Sequence, residues 1–239
     1  MTTWKTVYLK GPYPYRPILD LQHRLVAARR EGTLNTDVVL CLEHTRVFTL
    51  GHNGGIENIK VSPAFLRRRG IKVVKVERGG NITYHGPGQV ILYPIIDLRK
   101  FRMRITTYVE ALEEIMIRAA SDCNVRATRN PLNPGIWIGP RKLGSIGIAV
   151  RHGITFHGLA LNVNLDLEPF SWIAPCGLTN ISMTSLKEVS GRDRDMDVIR
   201  ERLIRHMEDV FEVSLQNWEI SDFTREFPID FSYTEAQIL

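Results

Sequence analysis

Apolar positions along the chain repeat with two periods, and each period marks a different element. From Ile18 to Arg30 they share one face of a helix that Gly32 ends. Residues 37–42 (DVVLCL) are a continuous β-branched run, as in a buried strand, and 46–50 form a second short one. Ser62-Pro63 and Gly70 bracket a short helix with a cap, a first-turn proline and a terminal glycine. Ile71 to Val76 alternates apolar with basic residues, which predicts a half-buried strand; Gln89 to Ile96 is a further apolar strand. Ile105 to Ala120 sets Ile105, Val109, Leu112, Met116 and Ala119 on one helical face. Gly135–Ile138, Leu143–Val150 and Ile154–Val163 read as three strands, the last two joined by a hairpin turn at Arg151-His152-Gly153. Ser185 and Glu188 form a capping box for a helix to Val189. Asp197 to Glu212 aligns Ile199, Leu203, Met207, Val210 and Phe211 on another helix.

Strands and helices do not alternate regularly, so a doubly wound parallel sheet is not expected. The pattern predicts an α+β fold, a mixed or antiparallel sheet flanked by helices. Neither a repeat nor a Ser/Gly linker interrupts the 239 residues. The expectation is one domain over 1–213 and an appendix over 214–239. A chain of this mass buries about 70% of its surface on folding, so it needs no disulfide or metal to hold it.

Charge refines this picture. The net charge is +5, but residues 208–239 hold eight acids and one base, Arg225. The remainder therefore has thirty basic against eighteen acidic residues, or +12. A basic body predicts an acidic partner without naming it. No apolar run approaches the ~18 residues of a membrane span, and Met1 to Lys10 lacks the build of a signal peptide. Cys41, Cys123 and Cys176 are too few and scattered for a disulfide framework, and no CxxC pair suggests zinc. These features predict a cytoplasmic protein without a metal, cofactor or membrane partner; with only Phe65 among the basic residues of 60–80, aromatic interleaving for nucleic acid is weak, and no nucleic-acid partner is expected.

Four segments carry candidate chemistry. Glu77 to Gln89 packs four glycines and Pro87 between two strands, with Arg78, Thr83, Tyr84 and His85 among them. Glycine lets backbone approach a ligand closely, although a surface turn needs glycine too. Neither GxGxxG nor GxxxxGK[ST] is present, so no motif supports nucleotide binding. Pro175-Cys176-Gly177 sets a thiol in a tight turn, where a neighbouring base or cation would make it nucleophilic; a lone cysteine is otherwise a small apolar filler. In 141–150, period two puts Lys142, Gly144, Ile146 and Ile148 on one strand face and Leu143, Ser145, Gly147 and Ala149 on the other. Lysine alone would be solvated, but two glycines in a strand suggest a close approach. In 155–164, His157 shares a face with Thr155 and Leu159, and small residues adjoin it. A strand histidine is more often a satisfied core residue than a catalyst. Basic residues also gather over 60–80: Lys60, Arg67, Arg68, Arg69, Lys72, Lys75 and Arg78.

Taken in order, these segments resemble the octanoyltransferase family of lipoate biosynthesis, also called lipoate-protein ligase B. The resemblance is carried by Leu42-Glu43-His44, Thr49-Leu50-Gly51, Arg78-Gly79-Gly80 through Thr83 to Gln89, Lys142-Leu143 with Ile146-Gly147, and His157-Gly158. It continues through 160–164, Asp166-Leu167, Phe170, Pro175-Cys176-Gly177 and Thr184-Ser185-Leu186. Two positions depart from the family pattern: Thr45 replaces a usual proline, and His52 a usual arginine.

The resemblance implies the fold of biotin and lipoate ligase catalytic modules. It implies transfer of an octanoyl group from octanoyl-acyl carrier protein to a lysine of a lipoyl domain, through a thioester on Cys176. Lys142 would favour the thiolate and shuttle protons. Arg78, Gly79, Gly80, Asn81, Ile82, Thr83, Tyr84 and His85, then Ser145, Ile146 and Gly147, then Gly158, Leu159 and Ala160 would line the acyl pocket. His157 and Asn162 would support it. The implied acceptors are 2-oxoacid dehydrogenase E2 subunits and the glycine cleavage H protein, and a monomer is expected. Rival readings are an ATP-dependent lipoate or biotin ligase on the same fold, a thiol hydrolase using Cys176, His157 and Asn162, and a carrier- or nucleic-acid-binding protein.

Overall fold

The computed structural model describes residues 2–131, 133–174 and 182–232. The chain runs β1 (Thr2–Tyr13), α1 (Tyr15–Glu31), β2 (Val38–His44), β3 (Val47–Leu50), α2 (Pro63–Arg68), β4 (Lys72–Lys75), β5 (Ile82–His85) and β6 (Gln89–Ile95). It continues with α3 (Ile105–Ser121), β7 (Thr128–Arg129), β8 (Gly135–Ile138), β9 (Arg141–Arg151) and β10 (Ile154–Asn162). Last come β11 (Ser182–Met183), α4 (Leu186–Ser190), α5 (Met196–Phe211), β12 (Val213–Asn217) and α6 (Ile220–Glu226). Among the described helices none is long and apolar enough to cross a membrane.

The main sheet has the order β12-β1-β2-β6-β10-β9-β8-β7, with β11 paired to β9. Strands β12, β1 and β2 run parallel, whereas β2 to β8 pair antiparallel. The expected mixed α+β architecture is thus the one observed. β10 is buried over all nine residues because helices cover both faces. Leu159 and Leu161 join Leu112, Met116 and Leu203 from α3 and α5 on one side. Phe156 and Ala160 join Ile18, Leu21 and Leu25 from α1 on the other. A smaller sheet, β4-β3-β5, lies under α2 around Phe48, Tyr84, Phe170 and Trp172.

Local signals place most boundaries. Ser62 accepts from the Phe65 N–H, Ser185 from Glu188, and Gly32 ends α1 in the left-handed region, as their residue types predict. Part of the segment expected as an appendix packs onto the rest of the chain. Val213–Asn217 pairs with Thr2–Thr6, and Phe223 and Phe227 are buried against the α1 side. Its acidic residues masked an apolar set that only β1 reveals. Ile105, aligned with the apolar face of α3, is 53% exposed because it starts the helix beyond the edge of the core.

Two strand irregularities position side chains. Trp137 pairs with Lys142 but Ile136 with Gly144, which leaves Leu143 as an extra residue in β9. This bulge reverses the alternation, so Lys142 lines the same cavity as Ser145 and Gly147 instead of lying opposite them. His157 has φ +56, a left-handed conformation that a non-glycine residue adopts at a cost. Its ring consequently turns towards α1 and Tyr15, away from the face of Leu159.

Candidate active site

A cavity of about 520 Å3 lies between β9–β10 and the Arg78–Thr83 loop. It gathers Lys142 and, of the sequence-predicted pocket residues, Arg78, Gly79, Gly80, Asn81, Ile82, Thr83, His85, Ser145, Ile146, Gly147, Gly158, Leu159 and Ala160; His157 also reaches it. Tyr84 does not. Alternation along β5 sends it into the small core, edge-on to Phe48 and Phe170. Asn162 stands behind the wall. Cys176 lies outside the described residues. Tyr15, Asn53, Tyr93, Val109, Asn133, Pro134, Ile148, Phe170 and Met183 complete the lining. No local pattern marks Tyr15 or Tyr93, while Asn133-Pro134-Gly135 is at least a turn signal before a strand.

Lys142 is 6% exposed, and its ammonium donates to Asn133 Oδ1 and sits 5.3 Å over the Trp137 ring. A buried ammonium needs such partners, because desolvation otherwise disfavours its charge. Both described flanks of the Cys176 segment are tied down. Ala174 N–H donates to the Asn58 carbonyl, and Ser182–Met183 pair with Arg141–Lys142.

Arg78 lies folded within the opposite wall. Its guanidinium donates to the Thr49 carbonyl at 2.6 Å and the Thr49 hydroxyl at 2.8 Å. A Cβ on Gly147 would meet the Arg78 side chain at 2.8 Å, and one on Gly51 would meet its Nη1 at 2.7 Å. A Cβ on Gly158 would meet the Leu92 carbonyl oxygen at 2.2 Å. Gly158 therefore serves the approach of two strands, and the room it leaves for a ligand follows from bare backbone.

Behind the cavity, two chains of hydrogen bonds fix the histidine tautomers. Asn162 donates to the Thr184 carbonyl at 2.9 Å, Gln89 donates to Asn162 Oδ1 at 2.8 Å, and His85 Nδ1–H donates to Gln89 Oε1 at 2.8 Å. His44 Nδ1–H donates to the Tyr13 carbonyl at 3.0 Å, so its Nε2 accepts from the Tyr93 hydroxyl at 2.8 Å. Burial holds His85 well below the usual imidazole range and lowers His44 to about 4. Burial also pushes Tyr15 up to about 12. His157 and Glu77 pull in opposite senses. Contact with His157 holds Glu77 down to about 2, whereas burial lowers His157 itself. Because the His157 ring is almost wholly enclosed and Glu77 is open to water, burial governs: the ring is neutral and Glu77 charged at neutral pH. The histidines and tyrosines at the back of the cavity are thus uncharged, and the cationic side chains of its lining are Arg78 and Lys142.

Residues 14–208 match the lipoyl protein ligase A/B catalytic domain. The chain belongs to that family. Within it, an octanoyltransferase of Desulfotalea psychrophila is 53% identical over 203 residues, covering 84% of this chain and 91% of its own. An octanoyltransferase of Solibacter usitatus is 41% identical over 205 residues, covering 86% and 92%. Among solved structures, a lipoate-protein ligase A bound with ATP superposes with TM-score 0.74 at 19% identity, covering 95% of this chain and 94% of that one. At that identity the likeness concerns the fold. The mixed sheet and its flanking helices are thus the fold of a lipoyl protein ligase A/B catalytic domain.

Proposed function

We propose that this protein is an octanoyltransferase that takes its acyl group from octanoyl-acyl carrier protein and passes it to a lipoyl-domain lysine through a thioester on Cys176. The observation that carries this is the cavity with the buried Lys142 amine beside the strand that follows Cys176. Relatives at up to 53% identity that are named octanoyltransferases support it. Burying a straight C8 chain in such a space stabilises the complex by roughly 0.8 kcal/mol per CH2.

In the first step the Cys176 thiolate attacks the carrier thioester carbonyl, the carrier C–S bond breaks, and the departing carrier sulfur takes a proton from the Lys142 ammonium, leaving Lys142 neutral. A thioester remains on Cys176. In the second step the acceptor lysine amine attacks that carbonyl, an amide forms, and the Cys176 thiolate is released. Ammonium at Lys142 favours the thiolate, while its neutral amine takes the proton that the attacking amine sheds. The two groups titrate as a pair. The acceptors are lipoyl domains of 2-oxoacid dehydrogenase E2 subunits and the glycine cleavage H protein, and the chain acts as a cytoplasmic monomer.

An ATP-dependent ligase would activate a free acid and need no thiol. A Cys-His-Asn hydrolase is poorly supported, since His157 bonds Tyr15 while Asn162 bonds Gln89 and Thr184. Intact-mass spectrometry separates these readings. Incubation with octanoyl carrier should add one octanoyl mass at Cys176, and Cys176→Ser should abolish transferable label. Full transfer by Cys176→Ala, or transfer that needs ATP and free octanoate, would overturn the mechanism.

A further inference from the structure

We infer that Tyr15 and His157, backed by Tyr93, form the stop that limits acyl-chain length; this rests on the octanoyl reading above. Burial separates the two ends of the cavity. Asn53, Gly79 and Pro134 are exposed at its rim, whereas Tyr15, His157 and Tyr93 are at most 3% exposed at its base. The register of β9 against β10 puts His157 opposite Ile148, six residues along β9 from Lys142. The base is therefore remote from the amine at which the acyl carbonyl is handled.

This base is cross-braced. The Tyr15 hydroxyl and His157 Nδ1 are 3.2 Å apart, the His157 N–H donates to Gln22 Oε1 at 2.7 Å, and Tyr93 is bonded through His44 to the Tyr13 carbonyl. The Tyr15 hydroxyl, His157 Nδ1 and the Tyr93 hydroxyl are engaged with one another or with His44, so at these atoms the base offers a ligand a surface and not a polar subsite; His157 Nε2 is buried without a hydrogen bond, 3.9 Å from the Glu77 carboxylate. A chain that fits ends against the rings. A longer one must drive Tyr15 off His157, and the burial gained by one more methylene is less than the loss of a buried hydrogen bond with its acceptor left unpaired. The left-handed His157 backbone resists sliding of the ring, because the neighbouring Gly158 is pressed against the Leu92 carbonyl.

The experiment measures kcat/KM for hexanoyl, octanoyl, decanoyl and dodecanoyl thioesters of the carrier. Wild type should fall at least tenfold from octanoyl to dodecanoyl. Tyr15→Leu should raise the dodecanoyl-to-octanoyl ratio at least tenfold. Near-isosteric Tyr15→Phe, which frees the ring from His157 and Tyr93 without emptying the base, should raise the decanoyl-to-octanoyl ratio two- to fivefold. A merely structural role would depress all chain lengths together and leave the ratios in place. Unchanged ratios, or a wild type indifferent to length, overturn the stop; if Tyr15→Leu does not fold, Tyr15→Phe decides alone. Wild type that transfers no octanoyl group removes the functional reading itself, whereas normal octanoyl transfer with flat variant ratios removes only the stop.

Discussion

The Lys142 ammonium donates to the side-chain oxygen of Asn133, and both residues are more than 90% buried in the cavity wall. Asn133 thereby holds the amine in one place, above Trp137 and beside Met183. A hydrogen bond to a charged group is worth roughly 1.5–3 kcal/mol. Asn133→Ala should accordingly lower kcat/KM for octanoyl transfer roughly tenfold to hundredfold. Lys142→Met should shift the iodoacetamide rate-versus-pH profile of Cys176 upward, and an unmoved profile would refute the pairing.

Asn162 has no route into the cavity, yet it should matter. Its amide donates to the carbonyl of Thr184, whose own N–H donates to the Lys142 carbonyl. Asn162→Asp sets one carboxylate oxygen against that carbonyl, while the other still accepts from Gln89. The expected loss is about 2–4 kcal/mol in urea unfolding, larger than for Asn162→Ala at the same site.

Two glycines of the wall should respond unequally to alanine. At Gly158 the new methyl meets backbone, the Leu92 carbonyl, at 2.2 Å; at Gly147 it meets the Arg78 side chain at 2.8 Å. Gly158→Ala should cost more than about 3 kcal/mol, or prevent folding, because neither strand can yield. Gly147→Ala should cost about 1–2 kcal/mol and raise KM for the acyl donor, as Arg78 shifts into the cavity.

Stability should fall with acidity before the carboxylates titrate. The folded value of His44, about 4, lies below its ordinary value near 6.5 because the ring is buried. Between those values the unfolded chain binds more protons than the folded one, so stability rises with pH across the window and is fully present above it. From pH 7 to pH 5 this group alone should remove about 2 kcal/mol of unfolding free energy. Buried His85 and His157 act in the same sense. Urea midpoints at the two pH values check this, and a pH-independent midpoint would sink it.

The three arginines of the basic stretch should separate. Arg67 and Arg68 are exposed on α2, whereas Arg69 lies 5.3 Å from the ring centroids of both Phe65 and Trp172. α2 follows Lys60, whose N–H donates to the Trp172 carbonyl two residues before Ala174. Reversing Arg67 and Arg68 to Glu should raise KM for carrier-bound octanoate several-fold and spare a carrier-free thioester. Arg69→Glu should also lower the thermal midpoint, since it removes a stacked side chain.

Much of this architecture is legible in local sequence. Helix ends at Ser62, Ser185 and Gly32 and the strand runs through β2, β6 and β10 depend on neighbours a few residues apart, so caps and periodicity suffice to find them. The ordered Gly- and His-containing segments likewise mark the family and most of the cavity wall. Other features depend on partners distant in the chain. β12 is a strand because β1 offers it an edge more than two hundred residues earlier, and its acidic setting hides that. Strict alternation puts Lys142 opposite Ser145 and Gly147, and the bulge at Leu143 that reunites them arises from pairing with β8. Tyr15 enters the cavity only because α1 crosses β10, where His157 adopts a left-handed backbone. The sequence by itself determined the elements, the family and the reactive residue types, because those follow from short-range chemistry. Which side chains share a cavity, and how its histidines are protonated, was decided by tertiary structure, since register and burial are properties of the assembled sheet.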